Sequence, residues 1–315
     1  MQLNQARATR AGSGAGWRSA AIALATLAAA PAYAQSAEDP SAEHDTVSSE
    51  SVIVTAPSVD EMVRNFVGEV SSAGQQDQLG RWDRTICPGV AGMRTRYAQA
   101  LIDRIASIAF TVGLEIGEPG CSPNALIYVT ENSDALAQEL VAQHGALVSR
   151  RNEHGNTRGR AALADFANTP RAVRWWHVTS SFGADGFRVR QGESVLVRSS
   201  GRLARGTRED FDRVLIIIDA RRIDGLRFGA VADYVAMATL AQLDPDADTS
   251  AYTTILNLFS DETATRPATI TEWDLSYLDG LYSATRDARD TGRQERDIAR
   301  RMREHVETEE PPAPQ

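Results

Sequence analysis

Histidine is the side chain most often placed for acid–base or metal work, and the chain has five: His44, His144, His154, His177 and His305. His44 and His305 stand in polar stretches toward the two ends, and His144 and His154 flank a polar segment without regular metal-ligand spacing. Only His177 lies in a strand-like run, directly after Trp175 and Trp176, where its ordinary role is that of a hydrogen-bonded core residue. No Gly-x-Ser-x-Gly stands between a strand and a helix, and the glycine patterns that cradle phosphate are missing. All 33 positive charges are arginine, so Schiff-base, Ser–Lys and phosphate-loop lysine chemistry is excluded.

Asp233 is the most informative carboxylate. At 100° per residue it shares a helix face with Met237 and Leu240, the side expected to be buried. A buried carboxylate needs a partner, and Arg174, Arg221 and Arg222 stand near strand ends. His177, Asp233, Arg174 and Arg221 therefore form the candidate polar site, or an internal clamp. No catalytic residue, cofactor or metal is expected, since a catalytic zinc needs three protein ligands gathered at one point. The two cysteines, Cys87 and Cys121, are expected to pair in an oxidising compartment.

The elements that position these residues alternate between helix and strand. Ala98, Leu101, Ile102, Ile105, Ile108, Ala109 and Val112 repeat at helical period over 95–113. After the turn residues Pro119, Gly120 and Pro123, the run 125–130 reads as a strand, and Ser133 is expected to cap a helix reaching about Val141. Residues 145–160 are polar and expected to be an exposed excursion. A strand over 172–179 leads into a hairpin-rich insertion marked by Gly183, Gly186, Gly192 and Gly201. Val214–Ile218 is apolar on both faces, the mark of a central strand in a covered sheet. An apolar helix follows over about 229–243, then a short helix or turn over 252–259. Thr271 with Asp274 forms a capping box that opens a helix through Leu275, Leu278, Leu281 and Tyr282. The last helix, 286–310, is expected to be solvated around a thin stripe of Ile298, Met302 and Val306.

Arg7, Arg10 and Arg18, the apolar run from Ser19 to Ala30, and Pro31-Ala32-Tyr33-Ala34 have the three ordered regions of a secretory leader cleaved before Gln35. That leader, 1–34, holds three arginines and no acid, so the remainder is more acidic than the formal net charge of −9. Such a balance argues against nucleic acid as a partner. Residues 35–57 read as a flexible linker, carrying a short β-branched run at Val52–Val54. The expected organisation is completed by a globular domain over 58–282 and a charged helical tail over 283–315 ending in a disordered Pro-rich terminus. Of 315 residues, 42% are hydrophobic, enough for one sizeable core and no membrane bundle. The fold class expected is α/β (or α+β), a mixed sheet of about four to six strands covered by helices in a single domain.

Several motifs carry a resemblance. Arg81-Trp82-Asp83 with Cys87-Pro88-Gly89-Val90, Gly120-Cys121-Ser122-Pro123-Asn124, Trp176-His177-Val178, Ala232–Met237, Ile255–Phe259 and Thr271–Asp274 with Tyr282 follow one another in an order that resembles a family of uncharacterised exported bacterial proteins. The C-terminal third also resembles a domain family of unknown function related to zinc peptidases. Where that family's helix would bear His-Glu-x-x-His, this chain reads Asp233-Tyr234-Val235-Ala236-Met237, so the resemblance implies a member with its metal motif lost. Leader, acidic balance and hydropathy together lead to the expectation of a periplasmic or secreted protein without nucleic acid and without stable membrane insertion, and the missing metal motif to that of a non-catalytic protein binding an unknown envelope partner or small ligand. The alternative is an envelope hydrolase of metallopeptidase-like descent with another arrangement of its site.

Overall fold

Alternating apolar residues set the strands and an apolar stripe at helical period sets the helices that cover them. A computed structural model describes residues 57–150, 155–190, 193, 205–260 and 266–309. The expected leader, the linker up to residue 56, Gly192, Gly201, His44, His154 and the Pro-rich terminus lie outside the described residues. In chain order the elements are α1 (Val59–Val70), β1 (Pro88–Ala91), α2 (Thr95–Thr111), β2 (Ala125–Thr130), α3 (Ser133–Gln143), α4 (Arg160–Asn168), β3 (Val173–Gly183), β4 (Thr207–Asp219), α5 (Phe228–Leu240), a 3₁₀ turn (Ile255–Phe259), α6 (Glu272–Ser283) and α7 (Thr291–Glu309).

Among the described residues the strands form one mixed sheet in the order β1-β2-β4-β3. β1 pairs parallel with β2 and β2 parallel with β4, whereas β3 runs antiparallel to β4 along the outer edge. The fold is therefore α/β, with a four-stranded sheet between helical layers. Alternation along the strands sorts the core in two. Val173 and Trp175 of β3 join Val214, Ile216 and Ile218 of β4 beneath α1, α2, α5, α6 and α7. Trp176 and Val178 join Leu215 and Ile217 on the opposite face, beneath α3 and α4. Complete burial of Val214 to Ile218 reflects cover on both faces.

Several local expectations need correction. Asn132, not Ser133, takes the N-cap position of α3, because the Ser133 hydroxyl is spent on Asp219 at 2.8 Å. The stretch 145–160 is not simply exposed: Val148 is buried, and its carbonyl accepts the Trp176 indole N–H at 2.8 Å. α1 and α4 stand outside the expected pattern, although Ser58 and Glu61 close a full capping box on α1. α7 is not merely solvated, since Ile298 and Met302 are buried against α6. Gly280 permits that approach, because a Cβ there would lie 2.9 Å from the Ile298 carbonyl oxygen.

Cys87 and Cys121 form a disulfide that fastens the segments entering β1 and β2. Asn124 reinforces it, accepting the Cys87 backbone N–H at 2.7 Å and donating to the Thr85 carbonyl at 3.0 Å. Among the described residues, no helix is long and apolar enough to cross a membrane.

Candidate functional site

α5 is the helix on which the sequence places its most informative residues, and eleven of its residues, Ala230 to Leu240, are buried. Asp233 is only 1% exposed. Its partner is not Arg174, Arg221 or Arg222 but Arg104 of α2, which reaches it through Nε and, at 3.1 Å, through Nη2. The Thr269 hydroxyl and the Ile270 backbone N–H add bonds of 2.8 and 2.7 Å to the same carboxylate. Asp233 thus joins α5, α2 and the segment entering α6. All four donors satisfy one buried anion, as burial requires.

Strand alternation explains why Arg174 is out of reach. Arg174 shares the face of Trp176, so the sheet separates it from α5. There it is 1% exposed, pairs with Asp134 of α3 and donates to the Phe166 carbonyl near the end of α4 at 2.8 Å. Arg221 and Arg222 stand just beyond β4, each with Nε 3.6 Å from Asp219. The four residues expected to share a site are not gathered into one cleft. The void bordered by both Arg174 and His177 holds only about 10 Å³, the room of a single water.

His177 serves the end of α5. The last carbonyls of a helix have no partner within it. Here His177 Nε2 meets the Ala238 carbonyl at 2.8 Å, Trp82 Nε1 donates to the Thr239 carbonyl at 2.9 Å, and the Tyr282 hydroxyl donates to the Leu240 carbonyl at 2.6 Å. The His177 ring also stacks on Phe211, with centroids 5.0 Å apart. Burial pushes its pKa down to about 4, against the pull of the Ala238 hydrogen bond, so the ring is neutral at pH 7. Three side chains singled out by the motif resemblance, Trp82, His177 and Tyr282, thus close the buried C-terminus of one helix.

A different place offers room for a ligand. β2 leads into α3 on one face of the sheet and β4 into α5 on the other, which opens a crevice at their carboxyl ends. Asp219 closes its base: it accepts the Ser133 hydroxyl and the backbone N–H groups of Arg221 and Arg222 at 3.0 and 3.3 Å. Burial opposes the charge of Asp219, but these bonds prevail and hold its pKa below the ordinary carboxylate value. A cleft of about 890 Å³ lies to the side of this crevice, where the end of β4 meets the start of β3, bordered by Arg171, Arg222, Arg266, Tyr234, Asn257 and their neighbours. Its wall is fixed. Arg171 pairs with Asp165 at 2.9 Å and with Asp246, while Asn257 donates to the Thr249 and Tyr252 carbonyls at 3.0 and 2.8 Å. Sequence reasoning missed Tyr234 and this cleft, although Tyr234 immediately follows Asp233.

Met237, one turn beyond Asp233, is buried in the apolar core. Among the described residues no three His, Cys, Asp or Glu side chains gather as a metal-binding group. No protein-family model matches the chain, and neither does a curated protein or a solved structure.

The Asp233 clamp makes a direct prediction. Asp233→Ala is expected to destabilise the fold by about 2 kcal/mol, less than for a fully buried pair because Arg104 is partly exposed and regains water. At this size that is a fall in Tm of roughly 4–8 °C. A double-mutant cycle with Arg104→Ala measures the coupling; additive losses would show that the pair contributes nothing of its own.

Proposed function

We propose that this is an exported cell-envelope protein, periplasmic or secreted, that binds a small ligand without transforming it. The observation that carries the reading is the cleft of about 890 Å³ where the end of β4 meets the start of β3, bordered by α5 and the segment 245–260. Export is supported by the leader-like residues 1–34 and by a disulfide, which persists in oxidising compartments. The non-catalytic reading is supported by His177, whose Nε2 is committed to the Ala238 carbonyl, and by Asp233, whose carboxylate is saturated by donors. The resemblance of the C-terminal third to a peptidase-related domain family points the same way, since Asp233-Tyr234-Val235-Ala236-Met237 stands where that family would bear its metal motif.

The test is mass spectrometry of the protein recovered from the envelope fraction. The denatured chain is expected to begin at Gln35. Under native conditions it is expected to carry a small molecule released on denaturation, with no stoichiometric transition metal and no hydrolysis of peptides. An unprocessed cytosolic chain overturns export. A bare chain overturns ligand carriage, and one zinc per chain lost together with peptidase activity on chelation overturns the non-catalytic reading.

A further inference from the structure

The cleft has a chemical character beyond its size. Tyr234 is 8% exposed, its ring wedged between Trp175 and Phe259 with centroids 5.9 and 4.8 Å away. The ring lines the cleft. Two other polar side chains of that wall are held by partners: Asn257 holds two carbonyls, and Arg171 lies between two carboxylates. The Tyr234 hydroxyl forms no hydrogen bond with any described residue, yet it is not among the fully enclosed polar atoms without partners. Burial raises its pKa and outweighs the nearby charge of Arg171, so the phenol keeps its proton and acts as a donor.

The charged side chains bordering the cleft are three guanidinium and two carboxylate groups. Arg171, already paired with two carboxylates, supplies the inner wall, and the exposed Arg222 and Arg266 supply the outer part of the cleft, Arg222 with its Nε 3.6 Å from Asp219. The acids that share the lining, Asp224 and Asp248, are exposed at the rim, and Asp248 is engaged by Ser250 at 2.7 Å. A guanidinium is a planar fork able to meet carboxylate and phosphate oxygens two at a time, and the sequence has arginine but no lysine. A phenol with no partner among the described residues, in a cleft whose outer part carries Arg222 and Arg266, asks the ligand for acceptor oxygens.

We propose that the cleft takes a small ligand bearing an oxyanion head, carboxylate or phosphate, held by Arg222 and Arg266 and closed on by the Tyr234 hydroxyl. The proposal rests on the ligand-binding reading above and gives that ligand its chemical class. Asp233, beside Tyr234, anchors Thr269 and Ile270, shortly after Arg266.

Titration calorimetry and thermal shift on the full mature chain test it, with succinate, inorganic phosphate and glucose as probes. Succinate or phosphate is expected to bind saturably and raise the Tm, and the stronger of the two identifies the head group. Tyr234→Phe removes only an oxygen without a partner among the described residues, so the variant is expected to fold and to bind at least tenfold more weakly. Arg222→Gln is expected to weaken binding as much and to leave glucose without effect. Equal oxyanion binding by Tyr234→Phe, Arg222→Gln and the parent overturns the site. Saturable glucose binding that Tyr234→Phe weakens, with no oxyanion binding, overturns the oxyanion class and leaves the ligand-binding reading standing. Binding by none of the probes overturns the proposal, and the native mass measurement then decides the broader reading by itself.

Discussion

Removing the Cys87–Cys121 disulfide is expected to cost about 3–4 kcal/mol, the chain entropy returned to the unfolded state when a loop of sequence separation 34 is opened. For a domain of this size that corresponds to a fall in Tm of roughly 10 °C. The structure says what the loop encloses: β1, the whole of α2, and the turn leading to β2. α2 carries Arg104, so the bridge restrains the helix whose side chain holds Asp233. The double variant Cys87→Ala/Cys121→Ala and the parent protein under reductant should show the same loss, which separates the bridge from the packing of the sulfur atoms. Thiol-alkylating reagent should add no mass to the denatured, unreduced chain. Two alkylated cysteines before reduction, or an unchanged Tm after it, would refute the pairing as a structural bond.

The sheet was legible where the residues speak for themselves. Ala125–Thr130 and Val214–Ile218 have the unbroken apolar character of doubly covered strands, and both pair at the centre of the sheet. The amino half of β4, Thr207–Arg213, is charged and lacks that apolar run; it is a strand because the antiparallel register from β3 carries it there. α7 was legible as a helix but not as a packed one. Its stripe is narrow, and only the glycine at 280 lets α6 approach closely enough to bury Ile298 and Met302.

The candidate site divides in the same way. Burial of Asp233 follows from its place on an apolar helix, because helical period is a local property. Its partner does not, because Arg104 lies 129 residues earlier and only the β1-α2-β2 crossover brings it there. Arg174 could have been set aside from sequence: adjacent strand residues face opposite sides of a sheet, so it cannot share a face with Trp175 and His177. The cleft was beyond local reading altogether. It is assembled from Pro170–Val173, the turn after β4, Tyr234 of α5 and the segment 245–260, none of which announces a site by spacing.

Acidification between pH 6.5 and pH 4 is expected to remove about 3 kcal/mol of stability through His177 alone, each unit of pKa difference being worth about 1.4 kcal/mol. The folded ring titrates at about 4, because burial denies its charged form water, whereas the unfolded ring titrates near 6.5. The unfolded state therefore binds more protons throughout that window, and stability rises with pH across it. Above pH 6.5 the contribution is complete; as pH falls it declines until the folded ring itself protonates. Asp219 and Asp297, held below their ordinary value of 3.8, lose their contributions only at lower pH. Asp210, Asp274 and Glu295, pushed up chiefly by burial, act with the opposite sign, so the total curve cannot isolate the histidine. The difference between the parent and His177→Gln can, since glutamine retains an N–H for the Ala238 carbonyl and has no proton to gain. That difference is expected to change by about 3 kcal/mol from pH 7 to pH 4 and to be flat above pH 7. NMR of the imidazole in the folded parent chain provides the second measurement, independent of how the variant folds. A ring that titrates near 6.5 in the folded chain would mean that water reaches it, and that the end of α5 is not the closed, dry contact made by His177, Trp82 and Tyr282.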